Sequence, residues 1–263
     1  MIVTQIEQRT SLRRLLLSLL LLASLGLASA LTRAAVPQGV PSVVIQQRKT
    51  VLVRSGKFAR DFPDRKRAII TYPVVVGPRT SPVLRKIRAL FDFKNIFGSS
   101  LAEYRASTWL SEFAYKVGYN RDYILDITFT QEGVGAYPDG GYKHFAINLR
   151  TGDLIRAADA FDPAAHEKLA AMVDAQLQAE NQETIKQVGS EDRASAEELL
   201  KDLKFTTNNL DNFAINDQGI TFLFDAEFPH AVQAFEPGGS YFFSYADLKP
   251  YIKPDGPLAV FIR

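Results

Sequence analysis

Between Leu125 and Leu149 the chain alternates apolar and polar positions twice. Leu125, Ile127 and Phe129 are separated by Asp126 and Thr128, and Phe145, Ile147 and Leu149 are separated by Ala146 and Asn148, with His144 just before them. A period of two gives each strand one buried face. The segment GVGAYPDGG between them reads as a loop whose glycines permit positive φ, with Tyr137 exposed at its tip beside Pro138.

The same reading extends in both directions. Val43 to Val53 is a strand or hairpin arm, and Ala68 to Val76 a strand ending at Gly77-Pro78. Ser81-Pro82 opens a helix with Val83, Ile87, Leu90 and Phe91 on one face and Gly98 as its stop. Phe113, Tyr115, Val117 and Tyr119 share one face of a strand that ends in the turn Asn120-Arg121-Asp122. Asp162-Pro163 starts a helix buried through Leu169, Met172, Val173 and Leu177, and Ser195 with Glu198 forms a capping box for a second. Phe213 and Ile215 lead into a hairpin with Gly219 in a left-handed position, and Ile220, Phe222 and Phe224 lead out. Tyr241 to Tyr245 is a last strand and Ala246 to Ile252 a short helix. Strands and helices thus fall in blocks, which predicts an α+β fold: a mainly antiparallel sheet, meander plus C-terminal hairpin, packed against helices.

The N-terminus has a different composition. Arg9, Arg13 and Arg14 precede an apolar run from Leu15 to Ala28 that ends in Ala28-Ser29-Ala30, the layout of a secretory signal peptide over 1–30. The run is short of the roughly twenty residues that span a bilayer, so no transmembrane segment is expected in the mature chain. A flexible leader over 31–41 follows, then an N-terminal α+β part over 42–120 and a C-terminal part over 121–263, together one compact unit. These features predict an exported bacterial protein, periplasmic or secreted. Removing the signal takes away Arg9, Arg13, Arg14 and Glu7 and leaves equal numbers of basic and acidic residues, so no nucleic-acid partner is expected. The absence of cysteine excludes disulfides and thiolate chemistry.

Several of these segments together carry a resemblance: ITYPVVVG at Ile70–Gly77, the glycine-loop hairpin, NLRTGD at Asn148–Asp153 leading to AADAF, and the stretch from NFAIND at Asn212 to YADLKPYI ending at Ile252. In this order they resemble the RsiV-like extracytoplasmic domain family, which includes the ectodomain of a lysozyme-sensing anti-sigma factor and the accessory domain of the peptidoglycan deacetylase PdaC. The resemblance covers roughly Ala68 to Ile252. It implies a sensing or binding module whose partner is an envelope or extracellular protein of the lysozyme type, or a peptidoglycan fragment. Family members often carry a histidine before the proline of the glycine-rich turn, where this chain has Tyr137.

The residues themselves offer little catalytic chemistry. No H-E-x-x-H, C-x-x-C, G-x-S-x-G or phosphate-cradling pattern is present, so neither metal nor cofactor is expected. Of the three histidines, His144 lies in a strand opposite Phe145, His166 in the first turns of a helix, and His230 where the chain leaves the sheet. The stronger signal is aromatic. Tyr137, Tyr142, Phe235 and Tyr241 sit in or beside two glycine-rich connections, and with Pro138, His144 and His230 they form the candidate ligand-binding set. A non-catalytic binding module accounts for the export signal, the missing catalytic motifs and the resemblance. The alternatives are an envelope-polymer hydrolase or deacetylase, signalled by two carboxylates about 5–9 Å apart in a cleft, and a structural envelope component, signalled by an apolar patch on an edge strand.

Overall fold

Alternation and turn chemistry put most strands where the pattern predicts them, and helices fill the expected gaps. The computed structural model describes residues 39–263 apart from 107, 108 and 136, so the expected signal and most of the leader lie outside the described residues. Two residues at the end of the leader segment make backbone bonds. Val40 N–H donates to Leu149 C=O at 2.9 Å, and Pro41 C=O accepts from Tyr123 N–H at 3.0 Å.

In the first half, β1 (Val44–Val53) leads through α1 (Gly56–Asp61) to β2 (Arg67–Val76), then α2 (Pro82–Leu90), α3 (Phe93–Phe97) and α4 (Leu101–Ala106). Next come β3 (Leu110–Arg121), β4 (Ile124–Val134), β5 (Pro138–Asn148) and β6 (Asp153–Leu154). The second half contains α5 (Ala157–Ala160), α6 (His166–Gln187), α7 (Arg193–Leu200), β7 (Phe213–Ile215), β8 (Gly219–Leu223), β9 (Ser240–Ser244) and α8 (Tyr245–Leu248). Among the described residues the strands form a six-stranded sheet in the order β1 to β6 and a three-stranded antiparallel sheet in the order β7-β8-β9. Only β2 and β3 pair in parallel, because the helices α2 to α4 carry the chain back across the sheet between them. The fold is therefore α+β with a meander and a C-terminal hairpin.

The large sheet is the wall between two cores. Leu125, Ile127, Phe129, Phe145 and Ile147 face α2 and α3, packing with Val83, Ile87, Phe91 and Phe93. Ile124 and Ala146, on the other face, join Phe213, Ile215, Ile220 and Phe222 of the small sheet and Leu169, Val173 and Leu177 of α6. The expectation of one buried face per strand is thus corrected: the second face is covered by the small sheet.

Other corrections have local causes. The helix expected from Ser81 to Gly98 breaks at Phe91-Asp92, because the Asp92 side chain accepts from Lys94 N–H and caps a new helix. Gly98 still ends it in a left-handed conformation, φ 78°. Tyr119 does not share a face with Phe113, Tyr115 and Val117, because a bulge at Gly118 turns it into the other core. The turn falls at Asp122-Tyr123, both at positive φ, rather than at Asn120-Arg121-Asp122. The loop GVGAYPDGG is mostly strand, since β4 runs to Val134 and β5 begins at Pro138. Ser195 lies inside α7, which starts earlier from the turn that bonds Arg193 N–H to Gly189 C=O. Gly219 is not left-handed. It is required by close approach, since a Cβ there would come within 2.1 Å of Phe243 O.

Arg54, just after β1, is 2% exposed. Its guanidinium donates to Leu110 C=O at 2.5 Å, Arg65 C=O at 2.7 Å and Tyr104 C=O at 3.4 Å, and desolvation lowers its pKa. One planar fork thereby ties α4, the start of β3 and the approach to β2. A lysine cannot span three carbonyls. Arg54→Lys should therefore destabilise the protein by about 3 kcal/mol in urea unfolding, as charge-assisted bonds are lost.

Candidate functional site

The tip of the β4–β5 hairpin is held from beneath. Arg65 Nη1 donates to Val134 C=O at 3.0 Å and to Gly135 C=O at 3.2 Å. Val134 N–H donates to Trp109 C=O at 2.8 Å, and Gly135 N–H to Tyr137 C=O at 3.0 Å. Gly133 lets the Trp109 ring lie against the strand, since a Cβ there would come within 2.4 Å of both the ring and the Trp109 carbonyl oxygen. Tyr137 is 62% exposed on this fixed tip.

Across from the tip runs the connection between β8 and β9, which contains a 3₁₀ turn over His230–Phe235. The His230 ring lies 4.7 Å from that of Tyr137, centroid to centroid, at an interplanar angle of 30°. His230 Nδ1 is 3.1 Å from Gln233 Oε1, which sets the ring's orientation. Trp109, Tyr137, Asp139, Phe228, His230 and Gln233 line an open cleft of about 360 Å³. Two candidates far apart in sequence thus meet, joined by the chain's single tryptophan. Trp109 went unselected because it belongs to no alternating run. The signal that could have found it is Gly133, whose missing side chain is where the ring sits.

The other candidates divide. Pro138 is exposed at the start of β5, beside Tyr137. Phe235 is half-buried at the end of the 3₁₀ turn and does not line the cleft. Tyr241 is a core residue, 4% exposed, whose hydroxyl donates to Glu180 Oε2 at 2.8 Å. Burial and then the Glu180 carboxylate raise its pKa far above the usual phenol range. A buried, occupied hydroxyl has nothing to offer a ligand. His166 lies at the start of α6 and lines neither this cleft nor the one along β5.

Tyr142 and His144 lie on a second cleft, of about 450 Å³, along the outer edge of β5. His144 is held in place inside it. Its side chain is 2% exposed, with Nε2 2.8 Å from Asp126 Oδ2 and Nδ1 2.8 Å from Thr128 Oγ1. The same Asp126 oxygen accepts from Ile215 N–H of β7 at 2.6 Å. A carboxylate only accepts, so His144 Nε2 carries the proton of the bond to Asp126. Asp126 and His144 together are a strut between the two sheets. Tyr142 is 43% exposed. Its hydroxyl pKa is raised by burial first and then by the charges of Asp225 and Glu236. Among the described residues no group of acids and histidines is arranged to hold a metal ion.

No family sequence profile matches this chain, and no curated protein matches it in sequence. Solved structures do match in three dimensions. A member of the DUF3298 family from Bacteroides fragilis superposes with a TM-score of 0.54 at 16% identity, over 86% of this chain and 99% of the other. A DUF3298 family protein from Pseudomonas aeruginosa superposes with a TM-score of 0.52 at 13% identity, over 82% and 96%. The fold is the DUF3298 fold. Nearly the whole of each neighbour is spanned.

Two substitutions test these arrangements. Asp126→Ala strips the acceptor from two buried donors and should cost about 3 kcal/mol in chemical unfolding, against about 1 kcal/mol for Thr128→Val. Gly133→Ala forces Trp109 off the strand. It should cost about 1–3 kcal/mol and shift the emission of the single tryptophan in the folded protein.

Proposed function

We propose that this protein is an exported, non-catalytic binding or sensing module whose ligand is a cell-wall-directed protein of the lysozyme type or a wall glycan. The observation that carries the reading is the Trp109–Tyr137–His230 cleft. Three ring systems from separate parts of the chain converge on one open surface, with Asp139 and Gln233 as polar neighbours. Aromatic faces edged by polar groups suit sugar rings and the planar or aliphatic parts of protein side chains. Exposing tyrosine on a tip anchored by Arg65 limits the ordering cost of recognition.

Two further features support this reading. The N-terminal residues have the layout of a signal peptide, and no helix among the described residues is long and apolar enough to cross a membrane. The DUF3298 fold of the structural neighbours agrees with the RsiV-like resemblance in the segments around Ile70, Asn148 and Asn212. Binding in that family is the source of the ligand class proposed here.

A structural envelope component is the second reading, and one observation favours it. On the edge strand β1, Val44 is 67% exposed and Val51 and Val53 are each 50% exposed. Arg48 and Lys49 in the middle of that strand work against pairing with a second copy, which would bring like charges together.

Titration of the purified protein with a lysozyme, and separately with soluble peptidoglycan fragments, tests the first reading through Trp109 fluorescence. One of the two should bind, and Tyr137→Ala or His230→Ala should weaken it about tenfold. Binding that ignores both substitutions would move the site elsewhere. Absence of binding to either ligand would remove the sensing reading, and release of acetate or reducing ends from the fragments would replace it with the enzyme reading.

A further inference from the structure

The second cleft has a feature that the aromatic one lacks: an open sheet edge. β6 covers only the end of β5, pairing Ile147 with Leu154 and Asn148 with Asp153. The last bond in that row runs from Ile155 N–H to Ala146 C=O, at 2.8 Å. The chain then turns away, and Arg156 N–H is taken by the Asp159 carboxylate at 2.9 Å. Ala146 marks which residues of β5 present their backbone outward, and the period of two makes His144 and Tyr142 the next in line. Among the described residues, no hydrogen bond reaches the N–H or C=O of either.

An edge left open in this way is normally a hazard, blunted by a charge, a proline or a covering loop. Here it opens into a built slot. All five residues from Tyr142 to Ala146 line the cleft, as happens only when it runs along the strand's edge rather than over one face. The opposite wall is the turn over 208–212, and Leu223, Asp225 and Glu227 follow at alternate positions along the chain leaving β8. Phe213, Leu223 and Ile155 supply apolar surface.

The charges select the occupant. Of the acids on the slot, Asp211 is paired with Arg156 at 3.6 Å. Asp225 and Glu227 have no ion-pair partner among the described residues. The backbone fixes them together: Asp225 Oδ1 accepts from Glu227 N–H at 2.8 Å, and Glu227 is held at φ 52°, a conformation rare for a residue with a side chain. Lys143 also lines the slot, but its side chain alternates with those of Tyr142 and His144 and so leaves the strand on the face opposite theirs.

The geometry points to a peptide-binding slot in which an extended, basic segment of a partner protein adds as a strand to β5 at Tyr142–His144, with its cationic side chains against Asp225 and Glu227. Main-chain bonds to the edge would supply affinity and the acidic wall selectivity, the division of labour seen in strand addition generally. The site shares no residue with the Trp109 cleft. It therefore stands whether or not that cleft binds wall components.

The test uses a fluorescein-labelled peptide of about six alternating lysine and valine residues, long enough to cover the edge at roughly 3.3 Å per residue. Fluorescence anisotropy with the full chain should show binding that falls with salt, and the glutamate–valine counterpart should not bind. Asp225→Asn with Glu227→Gln keeps the turn but removes both charges, and should weaken binding about tenfold or more. N-methylation of the peptide at successive positions should reduce affinity about tenfold at every second amide and little at those between. Equal effects at all positions, equal binding of the acidic peptide, or no binding would overturn the proposal. Self-association that competes with the peptide and is lost in the doubly neutralised variant would assign the edge to a second copy, and would also overturn it.

Discussion

A single buried carboxylate sets the relation between the two sheets. Asp126 is 2% exposed in the middle of the large sheet, where an unpaired charge would be untenable. Its solution is to accept from Ile215 N–H on β7 and from His144 on β5. An acceptor that draws a backbone donor from another sheet specifies position as well as energy, because the bond tolerates little sliding. The carboxylate also shapes its own strand pair. A Cβ at residue 118 would lie 2.4 Å from Asp126 Oδ1, so only glycine fits there, and the bulge at Gly118 turns Tyr119 toward the second core. Partner sheet, bulge and aromatic neighbour all follow from where one acid is buried.

Once β7 is fixed, the rest of the small sheet has limited freedom. Antiparallel pairing places β8 and β9, and the long connection between them must then cross the end of the β4–β5 hairpin. Its return is fastened by Glu180 of α6, which accepts from Gly238 N–H at 2.7 Å and from the Tyr241 hydroxyl. The hairpin tip is fastened independently by Arg65. Tyr137 and His230 therefore face each other because two anchored segments converge, and their approach does not depend on an attraction between the rings. Presenting the two rings on tethered segments limits the ordering cost of binding.

What the sequence disclosed follows the same division. Local patterns gave the strands, because alternation is a property of neighbouring residues: Leu125 to Phe129 and Phe145 to Leu149 needed no tertiary information. They also selected Tyr137 and His230 for the site, each on the composition around it. Pattern reading failed where a distant group decided the outcome. Asp126 looked like the solvent side of a half-buried strand, since nothing nearby announced Ile215. No local pattern assigns a role to Arg54 or Arg65, although their guanidiniums are spent on carbonyls brought from α4, β3 and the hairpin tip. Two glycines were misread for one reason. Gly133 and Gly219 were credited with turns, but each is needed because another group occupies the space of its missing side chain.

The segment leaving β8 links the two clefts through its backbone. Asp225 and Glu227 line the β5 slot, whereas Phe228, His230 and Gln233 line the aromatic cleft. The change of side occurs just after Glu227, at its left-handed φ of 52°. A residue with a side chain holds that conformation only if its surroundings impose it. Here the bond from Glu227 N–H to Asp225 supplies part of the constraint. Anything that drew Asp225 toward a ligand in the slot would load that bond and, three residues on, the orientation of His230. The two surfaces are thus separate in their contacts but share one short piece of strained backbone, the shortest physical route by which occupancy of one could be felt at the other.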